Sequence, residues 1–268
     1  MVTASVVLYN TPRQEICQIL GSLEESAVDK VYVIDHSPGE ESREIVGSFG
    51  KALYEHHPNG GYGRGHNHGI RKALENGSKY HAVINPDVYW EGDAIGALRD
   101  FMDSRVDCGL VMPKVLFPNG DIQYLCKLLP TPMDLIGRRF LPLKGYTERH
   151  NYEYEMRWSG YDHVMEIPSL SGCFMFMRCD VLRKTGGFDE RFFLYAEDMD
   201  LCRRIGEESA TLFYPDVEVY HAYKRDSYKH LKFLGMHISS IIKYFNKWGW
   251  IFDSRRKEIN QRSLQERR

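Results

Sequence analysis

Between residues 4 and 116, short apolar runs rich in β-branched residues take turns with stretches of helical periodicity, and this alternation constrains the fold more than any other feature. Strands are expected at 4–9, 31–35, 52–56, 82–85 and 109–116, and helices at 15–26, 64–77 and 93–103. Strands and helices in alternation build βαβ units, whose crossovers demand parallel pairing. The pattern predicts an α/β fold: a single Rossmann-like, mostly parallel sheet flanked by helices. Residues 118–165 are rich in Pro, Gly, Tyr and Arg with little periodicity, and read as a long excursion over that sheet. Regularity returns at 173–177, at a turn around Gly186-Gly187, in a helix opening at Glu197, and in two short strands near 211–214 and 218–221.

Bulk properties narrow the class. A chain of 268 residues with 43% hydrophobic and 27% charged residues is that of a globular protein, and a net charge of -2 argues against nucleic acid as a partner. The six cysteines include no Cys-x-x-Cys pair and the N-terminus lacks a secretory layout, which points to a reducing, cytoplasmic setting and no structural zinc. No run approaches the length of a membrane span. The charge is unevenly spread, since residues 224–268 hold twelve Lys or Arg against four Asp or Glu. There Leu231, Leu234, Ile238, Ile241, Ile242, Phe245 and Trp248 recur at helical spacing among Lys229, Lys232, Lys243 and Lys247. Residues 228–268 thus read as a basic amphipathic helical extension of a domain at 1–227. It either packs on the body or lies on an anionic membrane, with Trp248 and Trp250 at its end.

Two acids stand out. His81-Ala82-Val83-Ile84 reads as a buried strand stopped by Pro86, so Asp87 in Asn85-Pro86-Asp87 sits at the carboxyl end of a strand, where open α/β sheets bind ligands. Asp198 shares a helical stripe with Leu201, Cys202 and Ile205, and so is either a capped acid or one facing a cleft. Glu197 and Asp200 fall on another face and read as surface charge, with Asp200 and Arg204 an i,i+4 pair. The glycine-rich run from Asn59-Gly60-Gly61 to Gly69 fails the Gly-x-Gly-x-x-Gly spacing, because residues 66 and 68 are histidine; a nicotinamide enzyme is therefore disfavoured. The run reads instead as backbone that approaches a flat or anionic ligand, with Arg64 in reach of a phosphate. Histidines 56, 57, 66 and 68 suggest a metal cluster but lack carboxylate or cysteine partners at a known spacing, and read as loop residues; His221 reads as a histidine ending a strand before the polar run Lys224-Arg225-Asp226-Ser227.

Taken in order, Val6 to Asn10, Val33-Ile34-Asp35, Asn59 to Gly69, Asn85-Pro86-Asp87-Val88, Ser171-Gly172, Gly187-Phe188-Asp189-Glu190, Phe192 to Asp198 and His221 resemble the family-two inverting glycosyltransferases of GT-A fold, the bacterial rhamnosyltransferase-like members above all. The resemblance covers roughly residues 4–227. It implies that Asp87 stands for the last acid of the Asp-x-Asp element and binds Mg2+ or Mn2+, with His221 joining the metal. It implies that Asp198 is the general base, and that Tyr9, Asn10, Asp35, Gly60, Gly61, Asn67 and Asn85 shape the donor pocket. Asn85 and Pro86 depart from the family by replacing the first part of Asp-x-Asp.

The activity so implied is inverting transfer of a sugar, rhamnose being one candidate, from a dTDP- or UDP-linked donor to a cell-surface glycan or lipid-linked acceptor. The setting would be cytoplasmic, at the inner face of the plasma membrane. Two alternatives are a sugar-nucleotide pyrophosphorylase, which would want a basic loop where Asn10-Thr11-Pro12 stands, and a relative that binds without turnover, against which the presence of both Asp87 and Asp198 argues.

Overall fold

The computed structural model describes residues 1–137, 144–222 and 231–265. Its strands are β1 (Val2–Leu8), β2 (Lys30–Asp35), β3 (Ala52–His56), β4 (Tyr80–Ile84), β5 (Val88–Tyr89), β6 (Cys108–Leu116), β7 (Met165–Glu166), β8 (Phe174–Arg178) and β9 (Ala210–His221). Among the described residues they form one sheet in the order β3-β2-β1-β4-β8-β6-β9-β5, with β7 on β9. Pairing is parallel between β1 and β2, β2 and β3, β1 and β4, and β6 and β9; β8 runs antiparallel between β4 and β6. Thus β1 to β4, β6 and β9 share one direction, and their carboxyl ends line one edge. The chain moves outward from β1 in both directions, through β2 to β3 and through β4 to β8, so β1 and β4 flank a topological switch point.

The flanking helices are α1 (Arg13–Glu25), α2 (Ser42–Val46), α3 (Tyr62–Glu75), α4 (Ala94–Ser104), α5 (Lys144–Tyr154), α6 (Cys179–Thr185), α7 (Glu197–Ile205), α8 (Leu231–Trp248) and α9 (Ser254–Gln265). On one face of the sheet Ile16, Ile19, Leu20 and Leu23 of α1 join Leu98 and Met102 of α4 in the core. On the other, Ile70 of α3 packs with Leu201, Cys202 and Ile205 of α7 against Val83, Leu110 and Met175. Coverage of both faces explains why β4 reads as an unbroken buried run rather than an alternating one. A polar chain crosses this interior: Thr3 Oγ1 to His81 Nδ1 at 2.8 Å, His81 Nε2 to Ser5 Oγ at 2.9 Å, and Ser5 Oγ to His66 Nδ1 at 2.8 Å. Burial pulls the His81 imidazole down to about 3, so the ring is neutral in the fold.

Several expectations are corrected. The two short strands near 211–214 and 218–221 are one strand, β9, whose register against β6 shifts between Pro113 and Lys114, opposite Tyr214 and Glu218. The glycine-rich run is not a loop before a helix. Helix α3 starts at Tyr62, so Gly63, Gly65 and Gly69 lie inside the helix, Gly65 and Gly69 against the sheet and Gly63 against Phe188. A Cβ at Gly65 would stand 2.7 Å from Val7 Cγ2, which means glycine permits the close packing of α3 on β1. His66 and His68 are accordingly helical, not loop, residues. The excursion at 118–165 contains α5 and β7, and α2, α6 and β5 also escape the sequence pattern.

The C-terminal segment is two helices, not one, broken at Gly249 (φ +101°). Helix α8 packs on the body: Ile241, Tyr244 and Phe245 are buried against Phe192 and Ala196, whereas Ile238 and Ile242 of the expected apolar stripe face outward. Lys229 and the run Lys224 to Ser227 lie outside the described residues. Among the described residues no helix is long and apolar enough to cross a membrane.

Candidate active site

The carboxyl edge of the sheet gathers the expected residues. Asn85 to Val88 form a turn closed by the Val88 N–H donating to the Asn85 carbonyl at 3.3 Å. Pro86 occupies the second position, where its fixed φ favours such a turn. The turn delivers Asp87 to the start of β5, which pairs Val88 with His221 at the end of β9. Ala222 N–H donates to the Asp87 carbonyl at 2.9 Å, and the Asp87 carboxylate lies 3.3 Å from His221 Nε2. Two residues 134 positions apart in sequence are thereby placed side by side.

Gln123 sets the imidazole. Its Nε2 donates to the carbonyls of His221 (2.7 Å) and Leu116 (3.3 Å), which fixes the amide orientation and makes Oε1 the acceptor for His221 Nδ1 at 3.0 Å. Nδ1 therefore carries the proton in the neutral ring, and the Nε2 lone pair is on the Asp87 side. An aspartate oxygen and an imidazole nitrogen so arranged suit a divalent first-row cation. Nothing in the spacing of the sequence marks Gln123, which lies in the irregular excursion.

Asp198 approaches from α7. Its Oδ2 accepts from Gly172 N–H at 3.0 Å and its Oδ1 from Met199 N–H at 2.8 Å, while the side chain stays only partly buried. Asp198 is not the N-cap, which is Ala196; it is tethered to the turn before β8. The reading of Glu197 and Asp200 as surface charge is overturned, since they are 5% and 0% exposed. Burial, with the Asp198 charge adding, pushes the Glu197 carboxyl well above the usual carboxylate range. Asp200 is taken up by Arg204 (2.8 Å), Lys247 (2.6 Å) and Trp248 Nε1 (2.8 Å). For Asp200 the physical reason is α8, whose Lys247 and Trp248 cover the face of α7 that the sequence pattern leaves to solvent. Of the three acids opening α7, Asp198 alone is accessible.

Gly172 and Cys173 sit where the two acids meet. The Cys173 thiol is pushed up to about 12, by burial first, with both Asp87 and Asp198 adding. The Tyr62 hydroxyl, raised by burial and by the charges of Glu197, Asp198 and Asp87 among others, donates to the Gly172 carbonyl at 2.6 Å. A Cβ on Gly172 would meet Asp198 Cβ at 3.2 Å, so the absence of a side chain there lets the acid approach. Just before α7, Tyr195 (φ +72°) and Ala196 (φ +66°) both adopt the left-handed region, a local strain of about 1–3 kcal/mol each.

The remaining expected residues fall into two groups. Tyr9 is exposed, and Asn10 (φ +50°) donates its N–H to Ser37 Oγ at 2.9 Å, placing both at the rim beside β2. Asp35 is fully buried, with Tyr54 hydroxyl and Ser37 N–H on its two oxygens at 3.0 and 2.9 Å. Asn85 lies next to Cys173, its N–H donating to that carbonyl at 2.9 Å. Asn67 uses its side-chain amide on the segment after Gly187: Nδ2 donates to the Phe188 carbonyl and to Glu190, and Oδ1 accepts from Phe188 N–H. Gly61 (φ +98°) docks on Phe193, whose carbonyl would stand 2.2 Å from a Cβ there; a Cβ on Gly60 would strike the Arg64 side chain. Arg64 remains exposed, 3.6 Å from Glu190.

N-acetylglucosaminyl-diphospho-decaprenol L-rhamnosyltransferase of Mycobacterium tuberculosis, in strains CDC 1551 / Oshkosh and ATCC 25618 / H37Rv, is 30% identical over 144 residues, 52% of this chain and 45% of that protein. The chain spans about half the length of the curated relatives it matches. Similar solved structures include GalNAc-T7 with UDP, GalNAc and Mn2+ (TM-score 0.62, 13% identity, 83% of this chain and 44% of that one). S. aureus TarS (0.59, 14%, 98% and 42%) and the mannosyltransferase PcManGT from Pyrobaculum calidifontis with GDP-Man and Mn2+ (0.56, 14%, 99% and 74%) share the fold as well. The family model described as glycosyl transferase family 2 matches residues 3–186, well over half of the chain. The chain therefore belongs to glycosyl transferase family 2, and it is built on the GT-A fold of those solved structures.

Proposed function

We propose that the chain transfers a sugar with inversion, rhamnose being the leading candidate, from a dTDP- or UDP-linked donor to a glycan or lipid-linked acceptor. The observation that carries this reading is the division of labour at the carboxyl edge. Asp87 and His221 face one another on one side of the Gly172–Cys173 segment, and Asp198 is tethered to it by Gly172 N–H. Asp87 and His221 would hold Mg2+ or Mn2+, the mixed oxygen and nitrogen donors favouring Mn2+. Such an ion supplies neutralisation of the charge on the departing diphosphate. Asp198, fixed by two N–H donors and only partly buried, accepts the proton of the acceptor hydroxyl. Attack from the side opposite the nucleotide then inverts the anomeric carbon. Tyr9, Asn10 and Ser37 form the donor rim over Asp35, and Asn67 shapes it by holding the Phe188–Glu190 segment.

Rhamnose and a polyprenyl-linked acceptor are supported by the name of the mycobacterial relative. A membrane contact, at the inner face, fits the turn between α8 and α9 better than the α8 stripe, since Trp250, Ile251 and Phe252 are 37, 77 and 96% exposed beside Arg255 and Lys257. Calorimetric titration with UDP and dTDP, with and without Mn2+, tests the donor site. Metal-dependent binding lost in Asp87→Ala is expected, and binding indifferent to both metal and mutation would sink the assignment. Asp198→Asn should lower transfer by about 10²–10⁴-fold with nucleotide binding nearly intact; equal loss of both would contradict a base at Asp198.

A further inference from the structure

Away from the cleft, the end of β3 and the side of α3 bring together three side chains that the transfer reaction leaves unused. Glu55 lies in β3, His57 directly follows that strand, and His68 is on α3. The two imidazoles stack with centroids 4.0 Å apart and planes at 26°. Glu55 Oε2 lies 3.1 Å from His57 Nε2, and one ligand atom from each of the three residues falls within 4.8 Å of the others. We propose that Glu55, His57 and His68 form a second metal site, for Zn2+ or a similar borderline-soft divalent cation, separate from the pair Asp87 and His221.

The donor set is chemically apt. Two imidazoles and one carboxylate with a fourth position open to water is a common zinc arrangement, with metal–ligand bonds of about 2.0–2.2 Å. Tetrahedral ligation at that length asks for donor atoms roughly 3.3 Å apart, so side-chain rotation of about 1.5 Å closes the site. Lys72 Nζ occupies Oε1 of Glu55 at 2.5 Å. Although burial opposes it, contact with Lys72 and His57 holds the Glu55 carboxyl below its ordinary range, keeping it ionised. Burial, then the nearby His57, lowers His68, which favours the neutral imidazole a metal requires. A purely structural stack would need neither the carboxylate nor its converging geometry.

Metal here would tie β3 to α3 beside the donor pocket, because His57 N–H donates to the Asp35 carbonyl at 3.0 Å. The test is titration of the full chain, without nucleotide, with Zn2+ by calorimetry and with Co2+ by visible absorption. The proposal expects one equivalent that persists in Asp87→Ala and weakens at least ~10-fold in His57→Gln and in His68→Gln. Thermal melts without metal check that each variant is folded. Absence of binding in the wild type, unchanged binding in both histidine variants, or loss of binding in Asp87→Ala would each overturn it.

Discussion

His221 is held by a side chain, Gln123, that comes from 98 residues earlier in the sequence and touches both its ring and its carbonyl. Gln123→Leu keeps approximate shape but removes both contacts, and should weaken Mn2+ binding by about 10–100-fold, measured by calorimetry with UDP present. An unchanged affinity would show that β5 and β9 alone orient the ring. His81 governs a different property. Its folded imidazole titrates at about 3 against 6.5 when unfolded, so the unfolded chain takes up the proton first as pH falls. Its contribution is whole above about pH 6.5 and shrinks as the pH falls toward 3, by about 1.4 kcal/mol per pH unit. Denaturant unfolding between pH 6 and 4 should therefore show a flatter pH slope in His81→Asn than in the wild type. Equal slopes would place the titration elsewhere.

At the scale of elements, mostly apolar runs of five or more residues were enough to place β1 to β4 and β6, helped in β1, β2, β4 and β6 by burial along nearly the whole strand. Strand direction was not legible: nothing in Phe174–Arg178 distinguishes an antiparallel insertion from another parallel strand. Nor were β5 and β7, of two residues each, since two residues have no period. At the site, Asp87 and Asp198 were legible because strand end and helix start carry local signals. The pairing of Asp87 with His221 was implied by family resemblance, while Gln123 and the burial of Glu197 and Asp200 depend on contacts made by distant parts of the chain. Helix α7 shows the point best, since its hidden face is created by α8. Asp200→Ala should consequently destabilise the protein by about 3–5 kcal/mol, as it leaves Arg204 and Lys247 without their shared anion. A midpoint in urea close to that of the wild type would mean that solvent reaches the cluster.

Across the whole molecule, the carboxyl edge of the sheet, the helix that carries Asp198 and the C-terminal helices form a connected series. The turn at Trp250, Ile251 and Phe252 projects from that series with basic residues beside it. Sedimentation with vesicles should retain the wild type on anionic lipid more than on neutral lipid, and Phe252→Ser with Ile251→Ser should reduce the retained fraction several-fold. Equal retention of the variant would remove the turn as the contact. Behind the turn, Arg203 grips Asp253 through two hydrogen bonds of 2.7 and 2.8 Å and lies over the Trp248 ring at 4.2 Å. Since Asp198, Asp200 and Arg203 share a helix of nine residues, the proposed base and the fastening of the tail are parts of one short rod. For anyone transplanting this unit into another protein, the portable piece accordingly runs through α9, and a cut before Leu231 would strip Asp200 and Arg203 of their partners and loosen the helix that carries Asp198.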